Sequence, residues 1–165
     1  MENIKIFIAT PCYGGLVYSS YTQSLLYTCM LLSSKNIQFE VKFINNQIVT
    51  RARNMLCSLF MANDSFTHML FIDADIGFHP SDVIKLLSHN KDFVGGTYPH
   101  KNIQWGTVAR LMETNKDKSI KEIETISNNY SVDLETRKDQ AGNTTIDMRG
   151  DLVQCKYIPT GFMLI

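Results

Sequence analysis

The sequence shows no excess of charge of either sign: sixteen Lys and Arg balance sixteen Asp and Glu among 165 residues. A neutral chain has no general attraction for nucleic acid or acidic membranes, so any anion site must be local. Metal-ligand cysteine spacing is absent too. Cys12, Cys29, Cys57 and Cys155 form no CxxC pair, which argues against structural zinc and reads as free thiols in a reducing compartment. No apolar run reaches the roughly 20 residues that a membrane-spanning helix needs. The apolar opening, residues 4–9, is also too short for a signal peptide, and it lacks a basic region and a small-residue cleavage site. A cytoplasmic location is the resulting default. Internal repeats, heptads and low-complexity tracts are missing as well.

Forty-four per cent of the residues are hydrophobic and 19% are charged, enough apolar material for one domain with a substantial core. The first hundred residues alternate in period. Strands are predicted at 4–10, 38–44, 68–73 and 92–98, rich in β-branched and aromatic residues. Helices are predicted at 16–34, 48–62 and from Pro80 to about 89, with apolar side chains at helical spacing such as Leu25, Leu26, Cys29, Met30 and Leu32. Residues 11–15, Pro-Cys-Tyr-Gly-Gly, read as a loop. Repeated strand–helix–strand units predict an α/β fold with a mainly parallel sheet flanked by helices. After Gly106 the pattern changes. Strands are predicted at 108–112, 130–134, 144–148 and 152–157, with a helix at 120–126 and a turn at 140–143. These form an antiparallel addition to a single domain, 1–165, divided into halves at 101/102.

Ligands of open parallel sheets bind outside the carboxyl ends of the strands. Three features are expected there: the 11–15 loop, the pair Asp73 and Asp75, and residues 98–101. The segment Leu-Phe-Ile-Asp-Ala-Asp at 70–75 delivers two carboxylates to a strand end. On a regular strand, residues two apart point the same way. Two like charges held together are costly unless a cation shares them. A hard divalent ion such as Mn²⁺ or Mg²⁺ suits oxygen ligands and can neutralise a diphosphate.

The run FIDADIGFHPSDVIKLL resembles the DxD region of GT-A glycosyltransferases, especially the family 2-like group. The resemblance extends more loosely from Ile4 to about Lys101, through ATPCYGG, RARN and DFVGGTYPHK, and the closing IPTGFMLI is similar to a late strand of these proteins. The compact layout is also similar to small glycosyltransferase domains in multidomain enzymes of large DNA viruses, which would make the location host cytoplasm. The resemblance implies a GT-A fold and transfer of a sugar from a nucleoside-diphosphate sugar, with UDP favoured over GDP on family grounds alone. The acceptor would be a hydroxyl on a glycan or protein. Asp73 and Asp75 would hold the metal, with Ala74 between them at the donor site. The loop with Thr10, Pro11 and Tyr13 would reach base and ribose, where Tyr13 can stack on a base.

Other residues fit this chemistry. Arg51 and Arg53 near a helix start suit phosphate, though residues two apart do not share a helix face, so at most one is expected at the site. Lys101 is a candidate phosphate contact, His100 a candidate metal or sugar contact, and Trp105 a candidate sugar platform. Asp151 is the candidate catalytic base, with Asp147 nearby, and each also fits a hairpin. Two other readings compete. Haloacid-dehalogenase-type phosphatases also place Asp-x-Asp after an apolar strand, but Gly77 stands where their pattern has Thr or Val. A non-catalytic nucleotide-sugar or glycan-binding domain is the third reading. The apolar ending, Phe-Met-Leu-Ile, predicts that the polypeptide continues past residue 165, with further domains of the same chain as partners.

Overall fold

The structure is a computed structural model and describes residues 4–165. In chain order the elements are β1 (Lys5–Cys12), α1 (Ser19–Ser34), β2 (Gln38–Asn45), α2 (Val49–Met61), β3 (His68–Ile72), α3 (Pro80–Ser88), β4 (Val94–Gly95), α4 (Trp105–Thr114) and α5 (Ile120–Ser127). Then follow β5 (Asp133–Leu134), β6 (Thr136–Lys138), β7 (Thr144–Ile146), β8 (Met148–Arg149), β9 (Leu152–Val153), β10 (Cys155–Tyr157) and β11 (Phe162–Leu164). The chain is mixed α/β. It divides into two compact units, Met1–Gly96 with Pro159–Ile165, and Thr97–Ile158. Among the described residues no helix is long and apolar enough to cross a membrane.

The first unit is built on a five-stranded sheet in the order β2-β1-β3-β11-β4. The pairs β1/β2 and β1/β3 are parallel, whereas β11 runs antiparallel to both β3 and β4. The sheet is therefore mixed rather than mainly parallel. The closing apolar segment lies inside it, between β3 and β4. Strands β1, β3 and β11 are buried almost throughout, as expected of strands covered on both faces. Phe7 packs on Phe60 of α2, while Thr10 bonds to Tyr21 of α1. Their opposite parity on β1 puts the two helices on opposite faces of the sheet. Helix α3 packs against α1 and brings Val83, Leu86 and Leu87 into the core. Each such buried side chain contributes about 1.5–3 kcal/mol of transfer free energy.

Several boundaries differ from the sequence reading. Strand β1 runs through Pro11 to Cys12, with Pro11 in register opposite Ile44. The ladder to β3 stops at the pair Ala9 and Phe71, so the missing N–H of Pro11 breaks no bond on that side. The fourth strand shrinks from 92–98 to two residues, because Asn90 turns the chain at φ 47° and Gly95-Gly96 carry no side chains to hold a longer ladder. Helix α1 begins at Ser19, and its buried positions are Tyr21, Ser24, Thr28 and Leu32, while Leu26 and Met30 are exposed.

The second unit contains α4, α5 and three two-stranded antiparallel pairs: β5 with β10, β6 with β7, and β8 with β9. The strand predicted at 108–112 is the helix α4. Ala109, Arg110, Leu111, Met112 and Glu113 are strong helix formers, and the apolar residues Val108, Leu111 and Met112 fall three and four apart. α4 packs against α5, whose start is a capping box in which Ser119 and Glu122 satisfy each other's backbone N–H groups. The predicted turn at 140–143 is present, held by Asp139 Oδ1, which accepts from the N–H groups of Ala141 and Asn143.

Candidate functional site

The acidic pair lies one residue past β3. Asp73 follows the last strand residue, and Ile76 N donates to Asp73 O at 3.1 Å, closing a β-turn over residues 73–76. Asp73 is its first residue and Asp75 its third, positions that suit aspartate and a tight reversal. The strand alternation expected to point both carboxylates the same way therefore does not apply: the chain leaves the strand at Ile72 and turns.

This turn is tied down on both sides. Asp73 N donates to Gly161 O at 2.9 Å, just ahead of β11, and Tyr18 N donates to Ala74 O at 2.9 Å, just ahead of α1. Further on, Phe78 N donates to the Ser24 hydroxyl at 3.0 Å. Gly77 lies so close to α1 that a Cβ there would come within 3.2 Å of Ser20 Cβ. Backbone bonds from two neighbouring elements thus hold the Asp-Ala-Asp turn in one geometry, the support a binding constellation needs.

Arg53 supplies the charge partner. Its Nη2 donates to Asp73 Oδ1 at 2.7 Å, with the side chains 23% and 29% exposed. At that exposure the pair adds little to stability, but it fixes the orientation of the carboxylate. Arg53 Nε is buried without a partner, and unmet buried donors are uncommon away from functional sites. Arg51, two residues back on α2, is exposed. No more than one of the two arginines was expected at the site, and Arg53 is the one that faces the acidic turn, where it meets a carboxylate and not the expected phosphate.

Strands β1 and β2 end at the same edge, with Cys12 opposite Asn45. Beyond β1, Tyr13 opens a single 3₁₀ turn and is 81% exposed, and Gly14 and Gly15 both have φ near +67 to +69°. That left-handed pair lets the chain turn away and leaves the Tyr13 ring uncovered. Pro11 is half-buried. Thr10 is not on the surface. It is fully buried, and its hydroxyl shares a 2.6 Å hydrogen bond with Tyr21. Its side chain supports the loop from below, where the sequence suggested a ligand contact. Burial pushes the Tyr21 hydroxyl up to about 12, against the opposing effect of the Thr10 bond. Burial also raises the Cys12 thiol, which donates to Leu16 O at 3.0 Å. Cys12 is a structural thiol here, not an activated nucleophile.

The remaining candidates belong to the second unit. Its segment 98–100 is pinned by two backbone bonds, His100 N to Asn129 O at 2.7 Å and Ser131 N to Tyr98 O at 3.0 Å. His100 and Lys101 are exposed, and Trp105, 71% exposed, opens α4. Asp147, between β7 and β8, pairs with Arg149 of β8 at 3.6 Å. Asp151 is exposed in the β8–β9 turn, directly after Gly150. The structure thus gathers Tyr13, Arg53, Asp73, Ala74 and Asp75 at one sheet edge of the first unit.

Among the described residues no group of three or more His, Cys, Asp or Glu is arranged to hold a metal ion. Asp73 and Asp75 offer two carboxylates. That number suits Mg²⁺ or Mn²⁺ bound together with a diphosphate, since such ions complete their shell with water and phosphate oxygens. One oxygen of Asp73 is already committed to Arg53. Sequence reasoning missed the anchors of the turn, Tyr18, Ser24 and Gly161. They act through backbone atoms and a hydroxyl, and no motif signals such contacts. No family model matches the chain, and no curated protein matches it either.

Proposed function

We propose that this chain is a metal-dependent glycosyltransferase domain of the GT-A type, moving a sugar from a nucleoside-diphosphate sugar, UDP preferred, to a hydroxyl on a glycan or protein. The observation that carries the reading is the Asp-Ala-Asp turn at the carboxyl end of β3, fixed by backbone bonds from both sides and charge-paired to Arg53. Asp75 and Asp73 would hold Mn²⁺ or Mg²⁺. When bound, such an ion would neutralise charge on the diphosphate as it leaves the sugar. Arg53 keeps Asp73 oriented, so the turn is prepared before substrate arrives. Tyr13 offers an uncovered ring for stacking on the base. Arg51, in the first turn of α2, adds positive charge where the helix N-terminus already favours an anion. Lys101 and Asp151 carry no step in this reading.

The test is turnover. The full chain is incubated with UDP- and GDP-sugars, with and without Mn²⁺ and hydroxyl acceptors, and release of nucleoside diphosphate is followed. Mn²⁺-dependent release from one nucleotide class, lost in Asp75→Asn while the circular dichroism spectrum is unchanged, is the expected result. Release that needs no metal and survives Asp75→Asn, or hydrolysis of phosphate monoesters in its place, would refute the proposal.

A further inference from the structure

Strand β2 is an edge of the sheet, and among the described residues it pairs only with β1. An open edge eight residues long is a template for pairing with another chain. Which of its backbone groups point outward follows from β1. Lys5 O accepts from Thr67 N, and Lys5 N donates to Thr67 Oγ1, so the main chain of Lys5 faces the β3 side. Alternation then turns Ile6, Ile8 and Thr10 toward β2. In the parallel register these three bond the main chain of Gln38, Glu40, Lys42 and Ile44. The N–H and C=O groups of Phe39, Val41 and Phe43 are left pointing away from the sheet.

Two copies can pair antiparallel through β2 only if these outward residues face one another. A two-fold axis at Glu40 would set glutamate against glutamate. An axis at Lys42 would set lysine against lysine. An axis at Val41 sets Glu40 opposite Lys42 twice and Phe39 opposite Phe43 twice. It also lets the two Val41 residues exchange both of their backbone bonds. Opposite-charge and aromatic cross-strand pairs favour a register, and like charges directly opposite oppose one. Lysine on an edge ordinarily discourages pairing, but in this register Glu40 neutralises it.

Helix α2, which contacts β2, leaves apolar side chains uncovered. Met55 and Leu59, four apart on α2, are about 40% exposed. A strand edge alone is smaller than the roughly 800 Å² per partner of a standard interface, so a stable pair must cover these side chains too.

We propose that β2 is a self-association surface on which a second copy of this chain pairs antiparallel about a two-fold axis at Val41, joining the two sheets into one. The inference is independent of the glycosyltransferase reading. Its test is sedimentation of the full chain over a wide concentration range. Wild type is expected to form a dimer. Lys42→Glu, which places glutamates opposite each other at two symmetric positions, is expected to weaken the dimer at least about tenfold with an unchanged circular dichroism spectrum. Combining Glu40→Lys with Lys42→Glu restores opposite charges and is expected to restore the dimer. Three results would overturn the proposal: a wild type that stays monomeric at its highest soluble concentration, including one whose β2 edge is taken by a different protein; a dimer indifferent to Lys42→Glu; or a charge-swapped pair that fails to rescue.

Discussion

Thr10 and Tyr21 illustrate how far single residues could be read. Thr10 was marked for its place after the first strand, yet it is fully buried and bonded to the Tyr21 hydroxyl. A linear sequence does not show which face of β1 meets α1. Thr10→Val would leave that hydroxyl buried without a partner, at a cost of about 1–3 kcal/mol. Tyr21→Phe should cost a similar amount. The double variant should cost clearly less than the sum, because neither polar group is then stranded; urea titrations at pH 7 measure the cycle, and strict additivity would mean the bond is not made. The pH dependence has a definite sign. The folded-state value is raised from 10.0 to about 12, so the stabilisation is complete below about pH 10 and fades as pH rises toward 12. Asp73 and Asp75, by contrast, were visible directly, since two carboxylates after an apolar run form a local pattern. Their partner Arg53 lies twenty residues away on another element. The opposed directions of Arg51 and Arg53 were legible, but the identity of the group that one of them meets was not.

At the level of elements, long periodic segments were read correctly and short ones were not. Helices α1, α2 and α3 and strands β1, β2 and β3 carry their patterns over several turns or pleats. Helix α4 was mistaken for a strand because only three apolar residues marked it, and β4 was overextended across Gly95 and Gly96. Gly96 has a tertiary reason to be glycine. Its N–H donates to Phe162 O at 3.0 Å, and a Cβ there would fall 2.6 Å from the Phe162 ring. That ring is itself held by Phe78 at a centroid distance of 5.2 Å, so it cannot retreat freely. Gly96→Ala should therefore destabilise the chain by about 1–3 kcal/mol. Adding Phe162→Leu should recover part of that loss. A Gly96→Ala variant with an unchanged urea midpoint would show that the contact is slack.

On the scale of the whole molecule, the sequence suggested one domain cut near residue 101, while contacts group the chain as an outer unit interrupted by residues 97–158. Only pairing between residues far apart in sequence could reveal this, since β11 enters the sheet between β3 and β4. The geometry has a consequence for folding. Gly96 and Phe162 are joined by a backbone bond across adjacent antiparallel strands, so a short Gly/Asn loop can replace residues 97–158 without stretching the sheet. That shortened chain should fold cooperatively with the first unit's strand and helix content by circular dichroism, and failure to fold would show that the sheet depends on the excised segment. The central claim rests on the acidic turn, and calorimetry of UDP binding tests it most directly. With Mn²⁺ present, UDP should bind the wild-type chain, and at about 100 times its Kd should stabilise it by about 2.7 kcal/mol. Without Mn²⁺, or in folded Asp75→Asn, binding should be nearly abolished, whereas equal UDP affinity in the wild type and Asp75→Asn, with or without metal, would contradict the account.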